Sequence, residues 1–429
     1  MPVRPNLSRN ARAQIGLTRL VVKKPHMSKS YLKSATKLAL SLAGFLLAVG
    51  PSQAQTLTVL HNFTGESDGG NPLAGLTIDK NGNLYGTAEV GGANGYGTAF
   101  KLAKSGSSWT FDTLYSFASG TDGSYPTSRL MPGPDGTLYG VTSGGGGAGG
   151  QGTVFNIAPG PVETVIYRFT DGSGSGEAPS CNLVFDKEGN IYGTTSTGGA
   201  NGSGTVFKLV KPTQAGQPWT EKVLYTFGSG TDGQFPIAGV NFDSAGNLYG
   251  TTSAGGTDGY GIVFKLTPSP SGWTETILHN FQNGSDGSVP YGGLIFDKAG
   301  NLYGAATQGG TAGGGTVYQL VPSGSTYTFN VLYTVPGWGI SGTYRNLYMD
   351  ASGNIYGTTH CDGTNSAGSV FELSPATGGA WNVNTLHNFD GSDGQYVFSS
   401  MVFDQQGNIY GTTQVGGADG YGVIWELTP

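Results

Sequence analysis

The sequence predicts an all-β fold, a seven-bladed β-propeller with four antiparallel strands per blade. Three observations carry the prediction. One tyrosine-centred motif recurs seven times at near-constant spacing. Each copy holds four short β-type runs. The two ends of the chain carry complementary parts of one repeat.

The motif is GNLYGT and its variants, with its tyrosine at Tyr85, Tyr139, Tyr192, Tyr249, Tyr303, Tyr356 and Tyr410. Successive copies lie 54, 53, 57, 54, 53 and 54 residues apart. A fixed period of this length marks a repeat architecture. The copy starting at Leu73 shows the pattern. Run A, LAGLTID, ends at Asp79, and the turn KNG leads to run B, NLYGTA. The glycine-rich loop EVGGANGYG leads to run C, TAFKLA, and a polar turn leads to run D, WTFDTLYSF, ending at Phe117. Asn-Gly and Gly-Ser pairs between short alternating runs are hairpin signals. No segment has helical periodicity of useful length. Four antiparallel strands repeated seven times describe a propeller.

The ends complete the count. The last copy stops after run C, IWELTP, at Pro429, while an unpaired D run, LTVLHNF, spans 57–63. The N-terminal strand is therefore expected to complete blade 7 and close the ring. A linear solenoid gives no use for a split repeat.

The strings FDKNGNLYGT near Tyr85, FDKEGNIYGT near Tyr192 and FDKAGNLYGA near Tyr303 stand out, as do GTVFKL and LHNF…SDG. By them the chain resembles the glycine-rich GloVer (Gloeobacter–Verrucomicrobium) tandem repeat of exported bacterial proteins, over residues 56–429. The resemblance implies export and brings no established activity. Family members often carry a C-terminal surface-sorting segment, which this sequence does not show after its last repeat.

Residues 1–54 read as a signal peptide preceding a single propeller domain, 55–429. They hold nine basic residues and no acidic one, then an apolar run, LALSLAGFLLAVG, and Ser52-Gln53-Ala54 as a cleavage site. Met27 offers an alternative start. The apolar run is too short to span a membrane. Removing the nine basic residues leaves 12 basic against 27 acidic, a formal net charge of −15. Such a chain, with no basic stretch, is not expected to bind nucleic acid or anionic lipid. Cys181 and Cys361 fall in repeats 3 and 6, nearly opposite on the ring, and are expected unpaired.

Repeated residues have bland readings beside functional ones. Asp79, Asp186, Asp243, Asp297, Asp350 and Asp404 follow run A. They either cap their own turn or hold a cation such as Ca²⁺, although the glycine and Glu placement of a calcium loop is missing. Asp68, Asp122, Asp232, Asp286 and Asp393 either close Asx-turns or form a carboxylate ring. Trp109, Trp219, Trp273 and Trp381 are expected to pack between blades. His61, His279 and His387 alternate with Tyr115 and Tyr225 at one position, which points to a structural role.

Departures from the repeat are the functional candidates. They concentrate where the D–A and B–C loops of blades 6, 7 and 1 are expected to meet at the channel mouth. One position holds Ser143, Ser196, Ser253 and Thr307 in repeats 2 to 5, but His360, Gln414 and Glu89 in repeats 6, 7 and 1. Arg129 and Arg345 stand near the start of run A, where other copies have Gly75, Ala74, Gly239 or Ala238. A guanidinium there suits carboxylate or sugar hydroxyls, or else fills space beside an Asp. Trp338 and Tyr344, in the irregular loop of repeat 6, suit stacking on a sugar ring.

No Gly-x-Ser-x-Gly elbow on a strand-to-helix turn, no HExxH and no Cys/His metal spacing is present. The leading expectation is an extracellular, monomeric module that binds a glycan or protein, without cofactor. The alternative is a polysaccharide lyase or hydrolase with His360, Tyr344 or Glu89 as acid or base and the arginines neutralising a substrate carboxylate. A third reading is a structural surface or matrix protein.

Overall fold

In every repeat but the second a short Asp-x-x-Gly-Asn turn folds run A back on run B, and the glycine-rich loop folds run B onto run C. The computed structural model describes residues 55–429 apart from 134–135, 171–173, 215, 338–341 and 344. They form a seven-bladed β-propeller of small antiparallel sheets. The expected signal segment, 1–54, lies outside the described residues. No helix among the described residues is long and apolar enough to cross a membrane.

Blade 1 takes Thr77–Ile78, Leu84–Ala88, Thr98–Ser105 and Ser108–Ser116 as strands A to D, hydrogen-bonded in that order. Blade 7 takes Val402–Phe403, Ile409–Thr413 and Val423–Thr428, and its fourth strand is the N-terminal Thr56–Asn62. That strand runs antiparallel to the last one, from Thr56 opposite Thr428 to Asn62 opposite Val423. The ring thus closes on the split repeat. In blade 2 the D–A loop piece Ser124–Pro126 also pairs with Leu138–Gly144, as Gly176–Glu177 pairs with Thr197–Gly198 in blade 3 and Gly233–Gln234 with Ala254–Gly255 in blade 4.

The core lies between neighbouring sheets. Phe63, Leu76, Leu84, Phe100, Tyr410 and Ile424 form one cluster between blades 7 and 1. The glycine of each YG pair lets the next ring in: a Cβ on Gly250 would stand 2.6 Å from the Phe264 ring. Trp109 packs edge-on to Tyr410 of the preceding blade at 5.9 Å, and Trp381 to Tyr303 at 6.4 Å. His61 and His279 stack on Phe111 and Phe329 of the following blade at 3.9 and 3.8 Å, and bond Asp68 and Asp286. Burial lowers the pKa of both imidazoles.

The A–B turn is held by its aspartate. Asp243 Oδ1 accepts the N–H of Ala245 and Asn247, each at 2.9 Å. Its Oδ2 accepts Asn247 Nδ2 at 2.6 Å and the Tyr249 hydroxyl at 3.2 Å. The same donors surround the other five. Burial alone would raise the Asp243 pKa, but the Asn247 side chain and the turn amides outweigh it and hold it below 3.8. Asp243→Ala should cost about 1–2 kcal/mol in urea unfolding. A carboxylate with a depressed folded pKa stabilises above its unfolded pKa. That advantage over the alanine variant should therefore shrink as pH falls below 3.8.

Candidate functional site

Strand order puts the A–B turns and C–D hairpins on one face and the D–A and B–C loops on the other. The second face is built from a latch. Asn71, Tyr125, Ala178, Phe235, Val289 and Tyr396 sit in the D–A loops with positive φ, between 50° and 61°. Tyr125 donates its N–H to Tyr96 O of the preceding blade at 3.0 Å, and Phe235 does so to Ser203 O at 2.9 Å. The latch carbonyl accepts from strand B of its own blade.

This latch explains the serine position. Ser143, Ser196, Ser253 and Thr307 donate their hydroxyls to the latch carbonyl at 3.2, 2.9, 3.0 and 2.8 Å. Glu89 and Gln414 bond it only through their backbone N–H, to Asn71 O at 3.2 Å and Tyr396 O at 2.9 Å. Their longer side chains are not used in the latch. His360 is buried and stacks on Tyr396 at 4.7 Å and lies against Phe398 at 4.3 Å, both in the D–A loop of blade 7. Its Nδ1 is 2.6 Å from Cys361 Sγ. Burial and the neighbouring Asp362 push the Cys361 thiol up, so it is not an activated thiolate. Cys181 is buried in the core of blades 2 and 3, and both cysteines are free.

The arginines enter the channel at two levels. Arg345, of blade 6, reaches Thr127 O of blade 2 at 3.5 Å. Burial lowers its pKa, and Glu89 of blade 1 and Cys181 of blade 3 partly offset that. Burial likewise lifts Glu89 above the usual carboxylate range, offset by Arg345. One guanidinium therefore interacts with groups from blades 1, 2 and 3. Arg129 lies one residue level deeper. Its Nε bonds Thr77 Oγ1 at 3.0 Å, and burial lowers its pKa. It lines a channel cavity of about 300 Å³ with Asn182, Asn346 and Ser400. The remaining candidates, Trp338 and Tyr344, lie outside the described residues.

Sequence reasoning passed over the aromatic residues of this face. Tyr96, Tyr125, Phe235, Tyr260 and Tyr421 are 36–44% exposed, all in D–A or B–C loops. Among the described residues the other exposed large apolar side chains are valines of the outer strands. The GYG of several B–C loops was the available signal. Among the described residues no group of three or more His, Cys, Asp or Glu is placed to hold a metal ion.

A family model described as the Gloeobacter/Verrucomicrobia repeat matches residues 40–241 and 240–429. No curated protein matches the chain. Solved structures similar to this chain include a gluconolactonase from Xanthomonas campestris, 12% identical, TM-score 0.41, covering 87% of this chain and 89% of that one. A candidate 6-phosphogluconolactonase from Bacteroides uniformis is 14% identical, TM-score 0.49, over 76% and 86%. A protein of unknown function from Dyadobacter fermentans is 13% identical, TM-score 0.43, over 87% and 99%. At these identities and TM-scores nothing of those proteins' activities carries over to this chain.

Proposed function

The chain belongs to the Gloeobacter/Verrucomicrobia repeat family, and from that membership and the channel mouth we propose an exported binding module that takes a glycan on the D–A and B–C loop face. The exposed aromatics of that face carry the reading. A sugar ring offers an apolar face for stacking and hydroxyls for hydrogen bonds, and Tyr96 and Tyr125 stand 6.1 Å apart with exposed rings. Arg345 and Glu89 add a donor and an acceptor at the channel mouth. The basic and apolar segments within residues 1–54 fit a role outside the cytoplasm.

The test is a glycan-array screen of the purified protein, with each hit assayed for reducing ends and unsaturated products. Binding without product is expected. Arg345→Ala should weaken it at least tenfold, the scale of one charge-assisted hydrogen bond. Product formation would make the protein an enzyme, an unsaturated product identifying a lyase. Absence of binding to every glycan would overturn the proposal and leave a structural or protein-binding role.

A further inference from the structure

The repeat supplies its own control for the opposite face. The tyrosine of each YG motif lies at the junction with the next blade, where two positions of that blade cover its ring. One ends strand A. The other begins strand D.

Six junctions are covered by at least one aromatic ring. Phe185, Phe242, Phe296 and Phe403 pack edge-on to Tyr139, Tyr192, Tyr249 and Tyr356 at 4.9–5.3 Å. Trp219 and Trp273 join the same clusters as Tyr139 and Tyr192. Trp109 covers Tyr410 and Trp381 covers Tyr303. Five of the seven tyrosines are at most 7% exposed.

Tyr85, at the junction of blades 1 and 2, differs. At the end of strand A blade 2 has Pro132, opposite Leu138, where blade 3 has Phe185 opposite Ile191. At the start of strand D the register equates Val162 with Thr110 and Glu163 with Phe111, so Pro161 stands where blade 1 has Trp109. The C–D hairpin is cut to Pro159-Gly160-Pro161. Both covering residues are prolines. Tyr85 has no aromatic partner among the described residues, and a groove of about 500 Å³ opens beside it, lined by Leu114, Pro132, Leu138, Ile157 and Pro161.

The groove has one cationic side. Lys208, the equivalent lysine of blade 3, pairs with Asp186 at 3.1 Å. Lys101 forms no such pair among the described residues, and its Nζ stands 5.9 Å from the Tyr85 ring centroid, on the groove wall. Lys80 lies on the same rim. Asp79, the nearby carboxylate, is occupied by Asn81, Asn83 and Tyr85.

We propose that this groove is a binding site for a small aromatic acid, whose ring takes the place of the missing Phe and Trp against Tyr85 and whose carboxylate faces Lys101. Edge-to-face packing on the tyrosine supplies the ring's geometry, as the protein's own rings do at the other junctions. A carboxylate beside an ammonium at a partly dry wall selects an acid over a neutral arene. The ring enters a preformed apolar slot with a few placed polar groups, the usual form of a small-molecule site. The site lies on the face opposite the proposed glycan surface and does not depend on it.

The test is titration calorimetry of the purified protein with indole-3-acetate, with indole and acetate as separate controls. One equivalent of indole-3-acetate should bind saturably, and more tightly than either half. Pro132→Phe should weaken binding at least tenfold. So should replacing Ala158–Val162 by the blade 1 hairpin AKSGSSWT. Both changes refill the groove with residues the other repeats already use, and a native melting transition checks each fold. Lys101→Gln should reduce the acid to the affinity of indole. Absence of saturable binding by the native protein would overturn the proposal. So would unchanged affinity in whichever refilled variant retains the native transition. Glycan binding by the opposite face should persist in both, which separates the two proposals.

Discussion

A chain shortened to begin at Thr64 should lose the cooperative unfolding transition of the intact ring. Blade 7 obtains its outer strand from Thr56–Asn62, paired with the last strand of the protein. Removing it exposes the edge of Val423–Thr428, an unpaired template for aggregation. It also removes Phe63, which is fully buried and packs edge-on to Phe100 of blade 1 at 5.3 Å. Leu57 and Val59 leave the cluster that holds Trp425. The gentler Phe63→Ala should cost about 3–5 kcal/mol, the range for a buried phenylalanine cut to alanine. Against a typical total of about 5–15 kcal/mol this is a large fraction. Urea unfolding followed by tryptophan fluorescence would measure both. Moving residues 55–63 to follow Pro429 through a short linker should restore the transition, because Thr56 already lies opposite Thr428. A shortened chain that melted like the native protein would contradict closure by this strand.

Closure was legible because it is arithmetic: a missing D run at one end and a spare one at the other admit one assembly. The turn aspartates were legible because an Asx side chain acts on amides two and four residues ahead, within the motif. The arginines were less so. Both precede a core leucine, Arg129 by one residue and Arg345 by two. Side chains alternate along a strand, so the two leave at different levels and on different sides. One interacts with Glu89 and the other with Thr77. Contacts between blades are separated by a whole repeat or by most of the chain. The stacking of His360 on Tyr396, and the lack of an aromatic partner for Tyr85 among the described residues, required the assembled ring. Their signal was nonetheless present, as two prolines at positions where other copies carry Phe and Trp.

The same comparison between blades yields the second large effect, a loss of stability as pH rises. Where blades 2, 3 and 4 carry Glu163, Glu221 and Glu275 on their outer strands, the preceding blade offers Tyr115, Tyr167 or Tyr225. Tyr225 donates to Glu275 at 3.1 Å and lies 3.4 Å from Asp232. Burial, then the charge of Asp232, pushes Glu275 up to about 7. Burial, then Asp122, pushes Glu163 up to about 7 as well, against the opposing charge of Arg168. In the unfolded chain both start from 4.5. Between these values the folded state holds more protons, so stability falls as pH rises. The contribution is complete below 4.5 and lost through about 7. After roughly halving for solvent screening, the pair amounts to about 3 kcal/mol. His61 and His279 act in the opposite sense below 6.5, since burial disfavours their charged form in the fold. The native profile alone therefore mixes the two. The double variant Glu163→Gln, Glu275→Gln isolates the carboxyls, because glutamine keeps the shape of the protonated acid. Melting temperatures of the variant minus those of the native protein should climb steadily from pH 4.5 to pH 8, and the variant should be the more stable protein at pH 8. A difference that stays flat across that window would show that the two glutamates ionise in the fold as they do in the open chain.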